Sequence, residues 1–222
     1  MSRRMIVPFI FGAVGVAILI NLGLWQVRRM DWKTALLADI ETRIAADPVA
    51  LPATFDPVAD RYLPVQVSGR FDGRLITVLS GQKDVSAGVD VIAVFVTDDG
   101  RRVLVDRGFV PEGSAVPRST ATATVVGNLL WPNDRDAFTP PPDAKTGLWF
   151  ARDVPAMALA LQTEPMLVVA RAPTGDGIDP MPVTLSGIPN DHLGYAITWF
   201  SLALVWAGMT GYWLWRIKMK TV

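Results

Sequence analysis

The chain carries, at residues 193–215, the stretch LGYAITWFSLALVWAGMTGYWLW, which has 23 residues and no charged side chain. About 20 apolar residues are enough to cross the hydrocarbon core of a bilayer as a helix. This stretch therefore predicts a transmembrane helix over residues 192–215. A second stretch, MIVPFIFGAVGVAILINLGLW at residues 5–25, has 21 residues and no charge, and it predicts another transmembrane helix. The segment between them has the composition of a soluble domain.

A cleaved signal peptide is the alternative for the first apolar run, because the basic MSRR precedes it. The run is longer than the core of a signal peptide, and no A-x-A cleavage site follows it. We therefore predict an uncleaved helix, followed by an amphipathic helical extension over residues 26–46 that lies on the membrane or packs against the outer domain. The extension has apolar residues at helical spacing, namely Trp32, Leu36, Ile40 and Ile44. Asp47-Pro48 is expected to end it.

The distribution of charge predicts the side of the membrane on which each segment lies. Residues 34–191 carry 13 Lys plus Arg against 20 Asp plus Glu. The short terminal tails are basic, through Arg3, Arg4, Arg216, Lys218 and Lys220. Short basic tails stay in the cytoplasm, so we predict cytoplasmic termini and an outer domain over residues 47–191 in a periplasm or its equivalent. The basic group Arg28, Arg29 and Lys33 after the first run favours the opposite orientation.

The composition excludes several kinds of site. The chain has no cysteine, which rules out disulfides, thiol redox chemistry and thiolate metal ligands. It has one histidine, His192, whereas a catalytic zinc site usually needs two or three. The sequence shows no acid–base pair of carboxylates, no serine–histidine arrangement, no Gly-rich phosphate loop and no basic stripe for nucleic acid. We therefore expect neither an enzyme nor a nucleic-acid-binding protein.

The middle of the chain is predicted to be rich in β-strands. Short alternating or apolar runs indicate strands at 62–68, 75–79, 123–130 and 165–170. Residues 91–110 predict a hairpin around Asp98-Asp99-Gly100. A short helix at 155–161 after Asp153 and loops at 139–147 and 172–182 complete the domain, and Asp106 and Arg107 are expected to form a structural pair. The predicted fold is a membrane protein with two transmembrane α-helices flanking a β-rich (α+β) extracytoplasmic domain.

His192 stands at the entrance to the second apolar run. Asn190 or Asp191 is a suitable N-cap, which places His192 in the first helical turn. At 100° per residue, this histidine shares a face with Ala196, Trp199, Ala203, Trp206 and Thr210, with Tyr195 at the edge. The positive end of the helix dipole favours the neutral imidazole, which is the form that binds iron. The alternative is a histidine within an aromatic belt at the membrane boundary.

The end of the first apolar run lies at the same bilayer level as His192, since consecutive spans are antiparallel. A flat apolar macrocycle between the spans would meet His192 with its iron and Arg28 or Arg29 with its carboxylates. These are the requirements of a haem site; the alternative is that both arginines contact lipid phosphates. The small residues Ala203, Ala207 and Gly211 add a ridge suited to close helix packing.

Four stretches together resemble the Surf1 family, also called Surf1/Shy1. They are LGLWQVRRMDWK (22–33), RYLPVQVSGRFDG (61–73), VLVDRGFVP (103–111) and PNDHLGYAITWF (189–200). They follow the family's order across almost the whole chain, and the patterns L-G-x-W-Q, R-G-[FW]-V-P and P-N-x-H-x-x-Y-A-x-x-W are specific as a set. Phe109, where many members have Trp, and Asp191, where Asn is common, are mild departures. No mitochondrial transit peptide is visible, so we expect a member of the bacterial type.

The resemblance implies an assembly factor for cytochrome c oxidase, a haem-copper terminal oxidase of the respiratory chain. Such a chaperone binds haem a transiently and aids its insertion into subunit I. The resemblance maps the family's histidine onto His192, its Trp-Gln motif onto Trp25 and Gln26, and its aromatic positions onto Tyr195 and Trp199.

The resemblance also implies partners and a location. The expected partners are oxidase subunit I, oxidase assembly intermediates and the lipid bilayer, with the haem a synthase as a further candidate. The expected location is the bacterial inner membrane, with both termini cytoplasmic and the central domain periplasmic. The alternative function is a membrane scaffold that stabilises oxidase assembly intermediates without carrying haem.

Overall fold

A computed structural model of the protein describes residues 3–81, 87–185 and 188–219. Its elements are α1 (Arg3–Ala45), β1 (Val49–Ala50), β2 (Pro64–Gly81), β3 (Ala87–Thr97), β4 (Arg102–Pro111), β5 (Thr122–Leu129), β6 (Leu148–Trp149), α2 (Val154–Leu161), β7 (Leu167–Ala170) and α3 (His192–Met219). The chain forms two compact units, which we call the helical unit (Met1–Asp39 with Leu185–Val222) and the barrel unit (Ile40–Thr184). Of the predicted basic tails, Lys220 and the side chains of Arg3 and Arg4 lie outside the described residues.

The helical unit contains most of α1 and all of α3. Both helices are long and apolar enough to cross a membrane. The predicted spans at 5–25 and 192–215 fall within them, and α1 continues without a break through the predicted extension to Ala45. Two candidate membrane-spanning helices thus flank a domain with a mixed sheet.

Glycines on α1 allow α1 and α3 to approach closely. A side chain at Gly12 would collide with Thr210, one at Gly15 with Trp206, and one at Gly23 with Phe200. The α1 numbers rise as the α3 numbers fall, so the two helices are antiparallel. Small residues at such contacts are typical of helix packing in membranes.

The α3 face predicted to carry His192 is the one that packs on α1, and on it Ala196 and Ala203 are buried. The small-residue ridge predicted on α3 is wrong beyond Ala203. Ala207 and Gly211 are exposed, and nothing lies within 4 Å of the position of a Cβ on Gly211. Close approach comes instead from α1 glycines that receive the large side chains of α3.

Five strands of the barrel unit close into a ring. β2 pairs with β3, β3 with β4, β4 with β7, β7 with β5, and β5 pairs back with β2. The β4–β7 pairing is parallel and the other four are antiparallel, while the short strands β1 and β6 add parallel contacts to β2. One buried cluster draws on all five ring strands, with members such as Phe71, Phe95, Val105, Val125 and Val168. This cluster is the interior of a small barrel filled by side chains.

The outer face of the barrel carries a second core. Outward-pointing residues of β3, β4 and β7, among them Val94, Leu104 and Leu167, pack against Met157 and Leu161 of α2. The predicted start of α2 is confirmed, since the Ala156 amide donates to Asp153 Oδ1 at 3.1 Å. α2 thus covers one side of the sheet.

The strand predictions hold in part. The hairpin at 91–110 is confirmed by β3 and β4, and Gly100 in its turn has φ +84°. The prediction of separate strands at 62–68 and 75–79 is wrong, because both belong to the single long strand β2. That strand bends at a register shift between Phe71 and Leu75, where Gly73 has φ +83°. Such a bulge lets a strand turn a corner without ending.

The C-terminal end of α1 belongs to the barrel unit. Fully buried Asn128 donates to Ile44 O at 3.1 Å and to Tyr62 O at 2.9 Å, and it accepts from Arg171 Nε at 2.8 Å. Bonds of this kind satisfy carbonyls that a helix end leaves without partners.

Candidate functional site

His192 is the first residue of α3, and its side chain is half-buried in the helical unit. The Tyr195 amide donates to Asp191 O at 3.3 Å, which begins the helix at the predicted place. Of the two predicted N-caps, Asn190 is wrong. The side-chain amide of Asn190 donates to Thr34 Oγ1 of α1 at 3.3 Å. Asn190 therefore contacts the neighbouring helix, and Asp191 is the remaining candidate for the N-cap.

The imidazole of His192 lies against Gln26 of α1. The distance from His192 Nδ1 to Gln26 Oε1 is 2.8 Å, and Gln26 is only 9% exposed. Within the described ranges, the other ring nitrogen, Nε2, has no hydrogen-bond partner. One nitrogen of the ring is therefore used within the helix pair, and the other is available to a ligand.

Two further polar contacts hold the start of α3 against α1. Lys33 Nζ donates to Pro189 O at 2.6 Å, and the Asn190–Thr34 bond follows one residue later. Together with Gln26–His192 they span residues 189–192, so His192 and the residues just before it are held against α1.

The structure places the other predicted site residues in different environments. Trp25 and Tyr195 are 54% and 57% exposed, whereas Trp199 is half-buried on the α3 face toward α1. Neighbouring residues of a helix point about 100° apart, so Trp25 and Gln26 cannot both face α3. Of this Trp-Gln pair, Gln26 contacts His192 and Trp25 is exposed on another face of α1.

The two predicted arginines also differ. The Arg29 guanidinium lies 4.1 Å from the centroid of the Trp32 ring on its own helix, a cation–π contact. Arg28 is exposed and makes no ion pair with any described residue. Arg28 is therefore the freer of the two to meet an anionic group.

The residues present fit a haem with one protein ligand. The unpaired Nε2 of a neutral imidazole suits iron, Arg28 suits a carboxylate, and Tyr195 and Trp199 supply aromatic side chains in the next turns of α3. The residues do not fit a multi-ligand metal centre, because the described part of the chain has no group of three His, Cys, Asp or Glu side chains placed to hold an ion.

The barrel unit contains a carboxyl pair that the sequence did not reveal. Asp90 on β3 and Asp106 on β4 are 7% and 2% exposed. The Gly108 amide donates to Asp106 Oδ1 at 3.1 Å, and Arg152 Nη1 lies 3.6 Å from Asp106 Oδ2. Burial raises the pKa of Asp106 to about 7; the charge of Asp90 adds to that rise and Arg152 opposes it. Burial also raises the pKa of Asp90.

Perturbed carboxyl pairs are candidates for acid–base chemistry, but this pair is enclosed. Both side chains are more than nine-tenths buried, and Arg152 beside them also binds Asp134 at 2.7 Å. A substrate group could reach them only if the sheet and its cover opened. We therefore assign the pair to the architecture of the barrel unit.

The predicted pairing of Asp106 with Arg107 is wrong. Successive strand residues point to opposite faces of a sheet, so Asp106 turns toward Arg152 and Arg107 turns the other way. Arg107 is fully buried, with its guanidinium 4.5 Å from the Phe71 ring centroid and 2.8 Å from Asp176 Oδ2. This contact lowers the pKa of Asp176.

Comparison with known proteins places this geometry in a family. The model of the SURF1 family matches residues 13–204, a range that includes both Gln26 and His192. Surfeit locus protein 1 of Rattus norvegicus is 32% identical over 211 residues, covering 82% of this chain and 67% of that protein. A SURF1-like protein of Monosiga brevicollis is 33% identical over 213 residues, covering 85% of this chain and 80% of that protein.

A bacterial relative extends the comparison. The SURF1-like protein of Rickettsia felis is 28% identical over 200 residues, covering 84% of this chain and 88% of that protein. The family model covers the part of α1 that carries Gln26, the barrel unit and the beginning of α3. On this evidence the chain belongs to the SURF1 family.

Proposed function

We propose that this protein is a membrane-bound assembly factor for cytochrome c oxidase that binds haem a and passes it to subunit I. The observation that carries the proposal is His192, the only histidine of the chain. It is half-buried at the start of a candidate membrane-spanning helix, and its Nε2 has no hydrogen-bond partner among the described residues.

In this proposal haem a is the cargo, and its iron supplies a coordination position for one imidazole. His192 Nε2 binds that iron, Arg28 meets a carboxylate of the macrocycle, and Trp199 lines an apolar face. A single protein ligand holds a haem less firmly than two would, so the cargo can leave for its destination. The protein then acts by binding and transfer and is not an enzyme.

The proposal includes partners and a location. The partners are subunit I, oxidase assembly intermediates and the lipid bilayer, with the haem a synthase as a candidate donor; nucleic acid is not among them. The proposed location is the bacterial inner membrane, with both termini cytoplasmic and the barrel unit periplasmic. The basic residues Arg216 and Lys218 at the end of α3 support this orientation.

An absorption spectrum and a pyridine haemochrome assay test the proposal. The protein is purified in detergent from cells that make haem a, beside His192→Ala and the matched control Thr198→Ala. Thr198 is an exposed residue of the same helix whose hydroxyl bonds only to Gly194 O within the described chain. We expect haem a in the wild type and in the control, and its loss in His192→Ala. Stoichiometric haem a in His192→Ala would overturn the proposed site.

The scaffold alternative predicts a different pattern from the same samples. A scaffold shows no haem a absorption in any variant, and it captures oxidase subunit I equally well with and without His192. Co-purification of subunit I, measured beside the spectrum, therefore separates a carrier from a scaffold.

A further inference from the structure

The Gln26–His192 contact determines which nitrogen of the imidazole carries the proton. A neutral imidazole has one N–H donor and one lone pair. The 2.8 Å contact joins His192 Nδ1 to Gln26 Oε1, and a carbonyl oxygen can only accept a hydrogen bond. With Gln26 Oε1 as the acceptor, a neutral His192 carries its proton on Nδ1 and its lone pair on Nε2.

This tautomer differs from the one that an unconstrained histidine side chain favours, in which the proton is on Nε2. The environment supplies the reason for the change. Gln26 is 9% exposed, so its carbonyl oxygen has little access to water, and a buried acceptor without a donor is costly. The Nδ1–H tautomer satisfies that acceptor.

The contact is also held in place from both helices. Gln26 follows Gly23 on α1 by one turn, and Gly23 receives the ring of Phe200 from α3. On the other side, Lys33 binds Pro189 O at 2.6 Å and Thr34 binds Asn190 at 3.3 Å. The imidazole thus has little freedom to rotate away from Gln26.

We propose that Gln26 is a positioning residue, which fixes His192 as its Nδ1–H tautomer and so directs the Nε2 lone pair away from α1 toward a ligand. The part that concerns iron rests on the proposed function, whereas the tautomer itself does not. Histidines that bind metals commonly donate their second N–H to an oxygen acceptor, which orients the ring and raises its basicity. Gln26 would fill that role here.

The first experiment needs no haem. Because His192 is the only histidine, protein labelled with ¹⁵N-histidine gives the ring signals of one imidazole, and two-bond ¹H–¹⁵N correlations report its tautomer. At pH 8 we expect Nδ1–H in the wild type, Nδ1–H in Gln26→Glu, which keeps an oxygen acceptor, and Nε2–H in Gln26→Met, which has none. The Nε2–H tautomer in the wild type, or Nδ1–H persisting in Gln26→Met, would overturn the inference.

The second experiment measures haem a binding to the same three proteins. We expect Gln26→Met to bind haem a about 10–100-fold more weakly than the wild type, the usual effect of losing such a partner. The iron–histidine stretching frequency of the ferrous form is expected to fall in Gln26→Met and to rise in Gln26→Glu, since a carboxylate is the stronger acceptor. Unchanged affinity and frequency in Gln26→Met would overturn the positioning role.

These results separate the two proposals. If the wild type has the Nδ1–H tautomer and binds no haem a, the proposed function fails and the tautomer assignment stands. If the wild type binds haem a as the Nε2–H tautomer, the proposed function stands and the role of Gln26 fails. Should Gln26→Met not fold, Gln26→Glu decides alone, and an iron–histidine frequency equal to that of the wild type would count against Gln26.

Discussion

The barrel unit and the helical unit treat buried polar groups differently. In the barrel unit such groups are numerous and mostly bonded to one another or to backbone, as with Asn128 between Ile44, Tyr62 and Arg171. In the described part of the helical unit, Gln26 is the one buried polar side chain, and its partner His192 keeps a free nitrogen. The two units therefore differ in access: polar atoms of the barrel unit that have no partner, such as Asp90 Oδ1 and Arg107 Nη1, are buried, whereas the free nitrogen of His192 belongs to a half-buried ring.

The largest expected effect on the stability of the barrel unit is that of replacing Arg107. Arg107→Ala removes the guanidinium over Phe71 and leaves Asp176 and Thr174 without their partner. Truncating a large, fully buried side chain to alanine costs about 2–5 kcal/mol, so we expect a loss of that order in the free energy of unfolding of the barrel unit. Hydrogen exchange of the barrel amides in the full protein measures it.

The matched control is Arg135→Ala. Arg135 is 65% exposed in its pair with Asp153, and exposed pairs contribute less than about 1 kcal/mol. Equal losses in the two variants would contradict the view that the barrel depends on its buried polar groups.

The next effect concerns pH. The pKa of Asp106 is raised to about 7 in the folded barrel from 3.8. As pH rises, the unfolded chain releases this proton first. The contribution of Asp106 to the free energy of unfolding is therefore complete below about pH 4 and falls as pH rises toward 7. Asp106→Asn carries no charge at any pH, and we expect it to remove a fall of about 4 kcal/mol between pH 4 and 8.

Thermal unfolding at several pH values checks this prediction. Asp98→Asn, at an exposed position in the β3–β4 turn, is expected to keep the slope of the wild type, and Asp90 should retain part of the slope in Asp106→Asn. A pH slope in Asp106→Asn as steep as that of the wild type would mean that the carboxyl does not titrate in the folded barrel.

The smallest expected effect tests whether the contact between α1 and α3 positions His192. Gly15→Ala places a methyl group against Trp206, and overpacking of this kind costs about 1–3 kcal/mol. Gly208→Ala is its control, because nothing lies within 4 Å of that Cβ position. We expect Gly15→Ala to shift the ¹⁵N signals of His192 by moving α3, and Gly208→Ala to leave them in place. Equal signals in both variants would show that the helix contact does not position the histidine.

The features that could be predicted from the sequence are those with local signals. Two uninterrupted apolar runs predicted α1 and α3, and Asp98-Asp99-Gly100 predicted the β3–β4 turn. Closure of the barrel could not be predicted, because the β4–β7 and β5–β2 pairings join strands far apart in the chain. The bend in β2 was missed for a related reason: a bulge at Gly73 looks in sequence like the end of one strand and the start of another.

The candidate site was predictable to a similar extent. His192 was conspicuous as the only histidine, and the antiparallel arrangement of two spans placed the end of the first run at its level. The rotation of α1 about its own axis decides that Gln26, and not Trp25, faces α3. The signal for that rotation is the glycine face of α1, since Gly12, Gly15 and Gly23 contact α3 and share a helical face with Gln26. Asp90 and Asp106 meet through the register of β3 on β4, which single-sequence reasoning does not supply.

The ring of strands has a consequence for synthesis, since β7 is its last strand along the chain and pairs with both β4 and β5. Until residues 167–170 have left the ribosome, both of those strands present open edges, which invite pairing with other chains. Residues 171–191 then separate β7 from α3. The nascent chain therefore completes the strands of its barrel shortly before α3 is synthesised. The machinery that inserts α3 meets a domain that has only just become able to fold.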